Sequence, residues 1–253
     1  MTEPRSVMPR VVGVIPARLN SSRLPRKVLL PIAGKPMIYW VYMNVVKSPL
    51  LHSVVIATDS REVADICAEL RIPSIVTGSH PTGTDRLFEV TRKTDADIYV
   101  NVQGDEPTVN VEHIRLLVQP LIDDQNLRVS TLCVEISNDE AANPNAVKVV
   151  KSISNKALYF SRSPIPYNTS ESNKQPHFKH IGLYAYRRDA LSYFHTLNQT
   201  PLELSESLEQ LRLLENGETI YVATTNFDTI GIDTQADYDK VVEMYNLRGS
   251  FLP

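Results

Sequence analysis

Basic side chains are concentrated in a short stretch that follows the first apolar segment of the chain. The basic residues are Arg18, Arg23, Arg26 and Lys27, and the same stretch contains Pro16, Ala17 and Ser22. Four cations so close together repel each other unless an anion lies among them, and a polyphosphate suits both the arginine forks and the point charge of a lysine. We interpret the stretch as a phosphate-binding loop, with a solvated basic loop as the alternative. The sequence has neither a P-loop nor a G-x-G-x-x-G motif, which predicts a phosphate site of different construction.

Two aspartates follow apolar segments and are candidate metal ligands. Asp105 comes after Ile98–Val102, and Asp233 ends the run Ile230-Gly-Ile-Asp233. Mg²⁺ binds proteins through one or two carboxylates together with substrate phosphates. We expect Asp105 and Asp233 to share one Mg²⁺ beside the phosphates. The alternative for each is a helix cap, a position that aspartate favours.

Other polar residues are more ambiguous. Thr82-Gly-Thr-Asp-Arg86 opens a predicted helix whose N-terminus could bind an anion or nucleotide, but capping by Thr82 or Thr84 explains it equally well. His180 and Tyr184 fall on one side of a predicted strand, and a core histidine is the default interpretation of the first. The sequence has no H-x-x-x-H, H-E-x-x-H or G-x-S-x-G spacing, so it does not support a zinc hydrolase or a serine nucleophile.

Apolar strands alternate with helices through the first half of the chain. The predicted strands are Val11–Ile15, Ser53–Thr58, Ser74–Thr77 and Ile98–Val102, and the predicted helices are Met37–Lys47, Arg61–Leu70, one entered at Thr82 or Thr84, and Val111–Ile122. This alternation predicts an α/β fold with a parallel sheet and helices on both faces. Ligands bind outside the carboxyl ends of such strands, where the basic loop and Asp105 fall.

The second half is less regular. We predict strands at Ala146–Lys151, Ala157–Ser161, Phe178–Arg187 and Thr219–Ala223, helices at Leu202–Asn216 and Gln235–Tyr245, and a mobile loop or lid at Ser163–Gln175. We expect one α/β domain with an inserted mixed-strand subdomain.

Composition narrows the class of protein. The 253 residues are 42% hydrophobic and 22% charged, with a net charge of −3, which is ordinary for a globular protein. Two cysteines without a Cys-x-x-Cys spacing argue against a disulfide scaffold and favour a reducing compartment. No apolar run approaches a membrane span and the N-terminus does not resemble a signal peptide, so we expect a cytoplasmic protein without a membrane partner. Residues 1–58 hold eight basic residues and one acidic residue. The negative net charge and the single basic loop nevertheless argue against nucleic acid as a partner.

Taken together, the motifs resemble those of the CMP-Kdo synthetases (3-deoxy-manno-octulosonate cytidylyltransferases). The resemblance extends from about Val11 to Tyr245. It rests on Pro16-Ala-Arg18, Ser22-Arg-Leu-Pro25 with Lys27, Gly34-Lys-Pro-Met37, Gly83-Thr-Asp-Arg86, Asn101-Val-Gln-Gly-Asp-Glu-Pro107, Asn143-Pro-Asn-Ala-Val-Lys148, Ala157-Leu-Tyr-Phe-Ser-Arg162, His180-Ile-Gly-Leu-Tyr184, Leu208-Glu-Gln-Leu-Arg212 and Gly231-Ile-Asp233.

The resemblance implies a Rossmann-like nucleotide-diphospho-sugar transferase fold with a smaller mixed-strand subdomain. It implies a nucleotide-binding half at about 11–135, a sugar-binding and dimerisation subdomain at about 136–228, and a return to the core at 229–253. The implied reaction is CTP + Kdo → CMP-Kdo + diphosphate, for lipopolysaccharide biosynthesis. The same reaction on 8-amino-Kdo or a sialic-type acid remains an alternative, as does a non-catalytic nucleotide-sensing module.

The resemblance also implies residue roles. Arg18, Lys27 and Asp105 match catalytic residues, and Asp105 and Asp233 match Mg²⁺ ligands. The matched nucleotide-binding residues are Pro16, Ala17, Arg18, Ser22, Arg23, Lys27, Thr82, Gly83, Arg86, Gln103 and Asp105. The matched sugar-acid pocket is Arg162, His180, Tyr184, Glu209 and Gln210. A homodimer is implied. The sequence departs from the family at Arg26, where glycine is common, and at His80-Pro-Thr82.

Overall fold

The computed structural model describes residues 8–19, 23–80, 82–170, 172 and 174–248. The strands of this part of the chain are β1 (Val11–Pro16), β2 (Pro31–Ile32), β3 (Lys35–Pro36), β4 (Ser53–Thr58), β5 (Ser74–Val76), β6 (Ile98–Asn101), β7 (Val129–Ile136), β8 (Lys148–Lys151), β9 (Ala157–Ser161), β10 (His177–Arg187) and β11 (Ile220–Thr225). The helices are α1 (Met37–Val45), α2 (Arg61–Glu69), α3 (Gly83–Thr91), α4 (Val111–Asp123), α5 (Asn138–Ala141), α6 (Arg188–Thr196), α7 (Pro201–Glu206), α8 (Gln210–Glu215) and α9 (Gln235–Arg248), with a 3₁₀ turn at Lys27–Leu29.

One large sheet organises the fold. Its main row has the order β11-β7-β10-β6-β1-β4-β5, with β8 and β9 paired beside β10. β1 is parallel to β4 and β6, β4 is parallel to β5, and β11 is parallel to β7. β10 is antiparallel to both β6 and β7. The predicted mostly parallel α/β sheet is therefore confirmed, with β10 as the reversed strand of the row.

Both faces of the sheet are covered by helices, as predicted. Val11 and Ile15 of β1 pack in one buried cluster with side chains of α1, α2 and α4. Val12 and Val14 pack in a second cluster with side chains of α3, α6 and α8. Because successive side chains of a strand point to opposite faces, the continuous apolar run of β1 is what a strand covered on both sides requires.

Side-chain caps set where several helices begin. The Val63 amide donates to the Ser60 hydroxyl at the start of α2, and the Asp85 amide donates to the Thr82 hydroxyl at the start of α3. Each cap satisfies a backbone N–H that has no partner inside the helix. The structure therefore shows that Thr82 caps α3, which was one of the explanations for the Thr82–Arg86 motif.

The structure corrects the sequence-based predictions at several places. The single helix predicted at Leu202–Asn216 is wrong, because the chain forms α7 and α8, separated at Ser207, whose φ is 54°. Strand β7 was not predicted, since its buried Ser130 and Thr131 interrupt the apolar pattern. Helix α6 was also missed, because β10 runs into it at Arg188 without a turn residue between them.

The predicted division into subdomains is not visible in the sheet. Strands of both predicted halves share the large sheet, and the division at about residues 135 and 228 stays a prediction.

Two further features concern the described chain as a whole. Cys67 and Cys133 are buried free thiols. None of the helices in the described ranges has the length and apolar character needed to cross a membrane.

Gly104 allows the loops after β1 and β6 to touch. Its amide donates to the Pro16 carbonyl over 3.2 Å. A Cβ at residue 104 would lie 2.8 Å from that carbonyl oxygen and 3.3 Å from Ile38 Cδ1. The loop bearing Asp105 can therefore approach the basic loop only because residue 104 has no side chain.

We predict that Gly104→Ala lowers the free energy of unfolding by about 1–3 kcal/mol, because the methyl group overlaps backbone that cannot move independently. Gly182→Ala is the matched control, since a Cβ there meets nothing within 4 Å, and it should change stability by less than about 0.5 kcal/mol. Urea denaturation measures both. Equal stability of the two variants would contradict the close-approach argument.

Candidate active site

Asp105 and Asp233 are brought together by backbone hydrogen bonds between the loop after β6 and the segment before α9. The Ile232 amide donates to the Asp105 carbonyl over 2.9 Å. The Ile230 amide donates to the Thr108 hydroxyl over 2.8 Å. Residues far apart in the sequence thus present two carboxylates at one edge of the sheet, as the sequence predicts.

Lys27 lies between these two carboxylates. Its Nζ is 2.5 Å from Asp105 Oδ2 and 3.1 Å from Asp233 Oδ1, and Arg23 Nη2 is 3.0 Å from the same Asp233 oxygen. The Lys27 side chain is 10% exposed. Burial acts to lower the pKa of Lys27, but the attraction and hydrogen bonds of Asp105 and Asp233 outweigh it and raise the pKa above its ordinary value. The ammonium therefore stays charged.

The helix-cap alternative for the two aspartates is wrong. Asn110 caps α4 by accepting from the His113 amide over 3.1 Å. Before α9, it is Asp237 that accepts the Thr234 amide, over 2.9 Å. Both Asp105 and Asp233 therefore direct their carboxylates to cations instead of helix ends.

The carboxylate pair has the chemistry of a Mg²⁺ site. A lysine ammonium already lies between the two groups, so the position favours a cation. Among the described residues, no His, Cys, Asp or Glu cluster of three or more members could hold a metal. Two carboxylates with phosphate oxygens completing the shell are nevertheless a common way for proteins to bind Mg²⁺. Asp105 and Asp233 fit that ion.

Glu106 supports the convergence without adding a full negative charge. A Cβ at residue 231 would lie 2.9 Å from Glu106 Oε1, so Gly231 lets the segment before α9 pass close to this side chain. Burial, reinforced by the charge of Asp105, raises the pKa of Glu106 to about 8. At pH 7 most of the Glu106 carboxyl is therefore protonated, which limits repulsion beside Asp105.

The basic loop and the carboxylates enclose a cavity of about 780 Å³, which we call the cationic cavity. It is lined by Pro16, Arg18, Leu19, Arg23, Pro25, Arg26, Lys27, Val28, Gln103, Gly104, Asp105 and Asp233. Arg18 is exposed. This wall combines arginine and lysine donors for phosphate with carboxylates for a metal.

Arg26 has the backbone conformation of a glycine. Its φ is 58° and its ψ 27°, in the left-handed region, which costs a residue with a side chain about 1–2 kcal/mol. Its guanidinium forms an ion pair with Glu62 in the first turn of α2, and the two side chains are 58% and 41% exposed. An exposed pair contributes about 0–1 kcal/mol. The ion pair therefore does not clearly offset the backbone cost.

A second cavity of about 350 Å³, which we call the polar cavity, adjoins the first. It is lined by Pro16, Arg18, His80, Thr82, Gly83, Thr84, Arg86, Asn101, Gln103, His180, Gly182, Tyr184, Tyr186, Phe194, Ser207, Leu208, Glu209, Gln210 and Leu213. Pro16, Arg18 and Gln103 line both cavities. Residues matched to nucleotide binding and residues matched to sugar binding thus lie around one space.

Three buried groups in this wall have no hydrogen-bond partner in the described chain. They are Asn101 Oδ1, the Tyr184 hydroxyl and Gln210 Nε2. Unsatisfied buried acceptors and donors are costly for a protein. All three side chains line the polar cavity, so it is suited to a ligand rich in hydroxyl groups.

His180 and Tyr184 share this wall as an aromatic pair. Their ring centroids are 5.4 Å apart, and His180 Nε2 is 3.0 Å from the Thr131 hydroxyl. Burial lowers the pKa of His180 to about 3, so its ring is neutral at pH 7. His180 is thus a neutral hydrogen-bonding side chain at the cavity and differs from the default core histidine.

Arg86 acts mainly within the protein. Its guanidinium donates to Asp59 Oδ2 over 2.8 Å and to the Thr77 hydroxyl over 2.5 Å. It is 3% exposed but lines the polar cavity. Arg86 therefore joins the loops after β4 and β5 to α3 at the cavity wall.

Glu209 and Gln210 reach the polar cavity because of the break between α7 and α8. The Thr84 hydroxyl donates to Glu209 Oε2 over 3.0 Å, and burial raises the pKa of Glu209. Arg212 in α8 donates to both carboxylate oxygens of Glu203 in α7, over 2.8 and 2.5 Å. This buried pair joins the two helices across the turn that presents Glu209 and Gln210.

The structure does not bring every predicted site residue to the cavities. The Arg162 guanidinium donates to the Glu206 and Pro144 carbonyls, and Arg162 lines neither cavity. Ala17 is buried and donates its amide to the Ala57 carbonyl. Ser22 lies outside the described residues. The functional roles assigned to these three residues stay predictions.

Sequence reasoning missed other residues of the polar cavity. Asn101 was used only as part of a motif, although its place at the end of β6 marks it as a lining residue. Tyr186 follows Tyr184 by two positions, the spacing that puts both on one face of β10. Ser207 and Leu208 had no such signal, because the turn that contains them was predicted as helix.

We predict that Arg212→Ala lowers the free energy of unfolding by about 3–5 kcal/mol, because Glu203 is left buried without its partner. Arg61→Ala is the control, since Arg61 is 86% exposed in its pair with Asp65, and it should cost less than about 0.5 kcal/mol. Guanidinium chloride denaturation measures both. Losses of similar size would show that the pair does not stabilise the α7–α8 turn.

Comparisons with known proteins agree with this geometry. A sequence model of a family described as cytidylyltransferase matches residues 12–220. A 3-deoxy-manno-octulosonate cytidylyltransferase of Acidobacterium capsulatum is 50% identical over 235 residues, covering 92% of this chain and 96% of the relative. One of Koribacter versatilis is 46% identical over 240 residues, covering 94% and 91%.

A solved structure is also similar. It is a CMP:2-keto-3-deoxy-manno-octonic acid synthetase complexed with CTP, superposed with a TM-score of 0.91 at 45% identity and covering 94% of this chain and 99% of that one. Because the family model matches more than half of the chain and the relatives match almost its whole length, the chain belongs to the cytidylyltransferase family and, within it, to the 3-deoxy-manno-octulosonate cytidylyltransferases.

Proposed function

We propose that this nucleotidyltransferase transfers the CMP group of CTP to Kdo, releasing diphosphate and supplying an activated sugar for lipopolysaccharide biosynthesis. The observation that carries the proposal is that Asp105 and Asp233 meet on the Lys27 ammonium in the wall of the cationic cavity. The names of the relatives, together with CTP in the similar solved structure, supply the identity of the two substrates.

The cationic cavity accounts for the triphosphate. Arg18, Arg23 and Lys27 line it, and their charges can hold phosphate oxygens in one orientation and neutralise the charge that develops as diphosphate leaves. Arg18 and Gln103 also line the polar cavity, which supports a place for the α-phosphate at the wall that the two cavities share.

The polar cavity accounts for the sugar acid. His180, Tyr184, Glu209 and Gln210 surround it and offer donors and acceptors to the sugar hydroxyls. Holding the sugar beside the α-phosphate makes the reaction effectively unimolecular. The anomeric hydroxyl oxygen bonds to the α-phosphorus, the bond from that phosphorus to the bridging β-phosphate oxygen breaks, and the hydroxyl proton passes to solvent.

Asp105 and Asp233 are the residues that would hold Mg²⁺. When bound, Mg²⁺ supplies charge neutralisation on the phosphates and lowers the pKa of the attacking hydroxyl. The aspartates also orient Lys27, because each carboxylate holds the ammonium. Lys27 thereby stays charged in the wall of the cavity.

Diphosphate release tests the function. The protein is incubated with CTP, Mg²⁺ and one sugar acid at a time, and we expect the highest kcat/KM with Kdo. Higher kcat/KM with 8-amino-Kdo or a sialic-type acid would change the acceptor while keeping the chemistry. CTP binding without turnover of any sugar acid would instead indicate a nucleotide-sensing module.

We predict that Asp105→Asn and Asp233→Asn each lower kcat by at least about 100-fold, because each removes a carboxylate from the metal position. EDTA should abolish activity of the wild type, and excess Mg²⁺ should restore it. Asp239→Asn is the control, since Asp239 contacts Gln235 on α9 and lies outside both cavities. Wild-type kcat in either test variant would contradict the metal assignment.

We propose that the protein is a cytoplasmic homodimer. The proposed nucleotide substrate, CTP, favours the cytoplasm as the location of the protein. Ile153 at the turn between β8 and β9, Leu158 of β9 and Tyr167 are highly exposed apolar or aromatic side chains on the second half, and burying them in an interface between subunits would remove apolar surface from water. A monomeric mass in sedimentation equilibrium would contradict the dimer.

A further inference from the structure

Arg26 is a cation of the cationic cavity for which the fold gives no structural reason. It stands directly before Lys27, and it has the left-handed backbone that glycine adopts without strain. Its ion pair with Glu62 is exposed and gives little in return for that strain. The benefit of an arginine here must therefore come from something other than stability.

The position of Arg26 within the cavity points to a ligand. Arg26 lines the cationic cavity but not the polar cavity, whereas Arg18 lines both. Arg26 therefore belongs to the part of the cleft outside the polar cavity. A triphosphate whose α-phosphate lay at the shared wall would extend its β- and γ-phosphates into the cationic cavity.

The guanidinium keeps donors for such a ligand. Arg26 bonds to Glu62 through Nη2, and a guanidinium has five N–H donors in a planar fork. Glu62 does not line the cationic cavity. Glu62 can therefore hold one edge of the fork while the remaining donors stay available to phosphate oxygens.

We propose that Arg26 binds the terminal phosphates of the nucleotide and increases the preference of the cavity for a triphosphate over a monophosphate. This inference rests on the proposed function, because it assigns a further residue to the same nucleotide. It adds a specificity-determining side chain to the cationic cavity, and it leaves the roles of Lys27 and the two aspartates unchanged.

Isothermal titration calorimetry with CTP, CMP and inorganic tripolyphosphate, in the presence of Mg²⁺, tests the proposal. We expect Arg26→Gly to raise the Kd for CTP and tripolyphosphate about tenfold, the loss of a charge-assisted hydrogen bond, and to leave the Kd for CMP within about twofold. Arg26→Lys, which keeps the charge but not the fork, should recover part of the affinity.

Two variants separate phosphate binding from other effects. Arg61→Ala removes an arginine next to Glu62 that lines neither cavity, and it should leave all three Kd values within about twofold. Glu62→Gln breaks the charge pair while keeping Arg26. If Arg26 acted only by stabilising the loop through its ion pair with Glu62, Glu62→Gln would weaken CTP binding as much as Arg26→Gly does. We expect Glu62→Gln to change the Kd for CTP by less than about twofold.

The proposal is overturned if Arg26→Gly binds CTP as tightly as the wild type, if it weakens CTP and CMP equally, or if Glu62→Gln reproduces its effect. A failure of the proposed function would look different from these outcomes. If the proposed function were wrong, the wild type itself would fail to bind CTP or to release diphosphate with any sugar acid. A stability measurement on Arg26→Gly should give a free energy of unfolding no lower than that of the wild type.

Discussion

The arrangement of the active site depends on one ammonium group held by two carboxylates. Lys27 comes from the 3₁₀ turn at the end of the basic loop, Asp105 from the loop after β6, and Asp233 from the segment before α9, which is bound to the loop of Asp105 by a backbone hydrogen bond. Because Lys27 is largely buried, its charge is tolerated only while both carboxylates stay close. The same closeness makes the two carboxylates a potential site for a divalent cation. Stability of the protein and preparation of the site therefore have a common physical origin.

Close backbone contacts make this convergence possible. Gly104 brings the loop after β6 against the Pro16 carbonyl, and Gly231 lets the segment before α9 pass Glu106. A largely protonated Glu106 can be buried beside Asp105 at low cost, whereas a charged one would repel it. Two glycines and one neutral carboxyl thus place two charged aspartates where a cation is needed. A side chain at residue 104 would separate the loops before any reacting group was altered, because the atom it meets belongs to the backbone of Pro16.

Much of this could be predicted from the sequence, and the failures have physical reasons. The apolar run of β1 and the alternation after it predict the parallel sheet, and the rule for its carboxyl edge places Lys27 and Asp105 together. The sequence could not exclude a helix cap at Asp233, because that depends on Asp237 accepting the amides before α9. It also could not reveal the break at Ser207, since a left-handed residue inside an amphipathic pattern leaves no periodic signal. Nor could it reveal that the Arg162 guanidinium donates to the Glu206 and Pro144 carbonyls, and the role assigned to Arg162 stays a prediction.

Carboxylates are distributed among the cations of the basic loop. Arg23 and Lys27 contact Asp233, Lys27 also contacts Asp105, and Arg26 contacts Glu62. Each carboxylate offsets repulsion between neighbouring cations. Arg18, by contrast, is exposed and lines both cavities. The carboxylates that position Lys27 are also the ones suited to a divalent cation. One set of side chains therefore both holds this ammonium and fixes the charges of the cleft in advance, and such preorganisation lowers the rearrangement that binding and catalysis require.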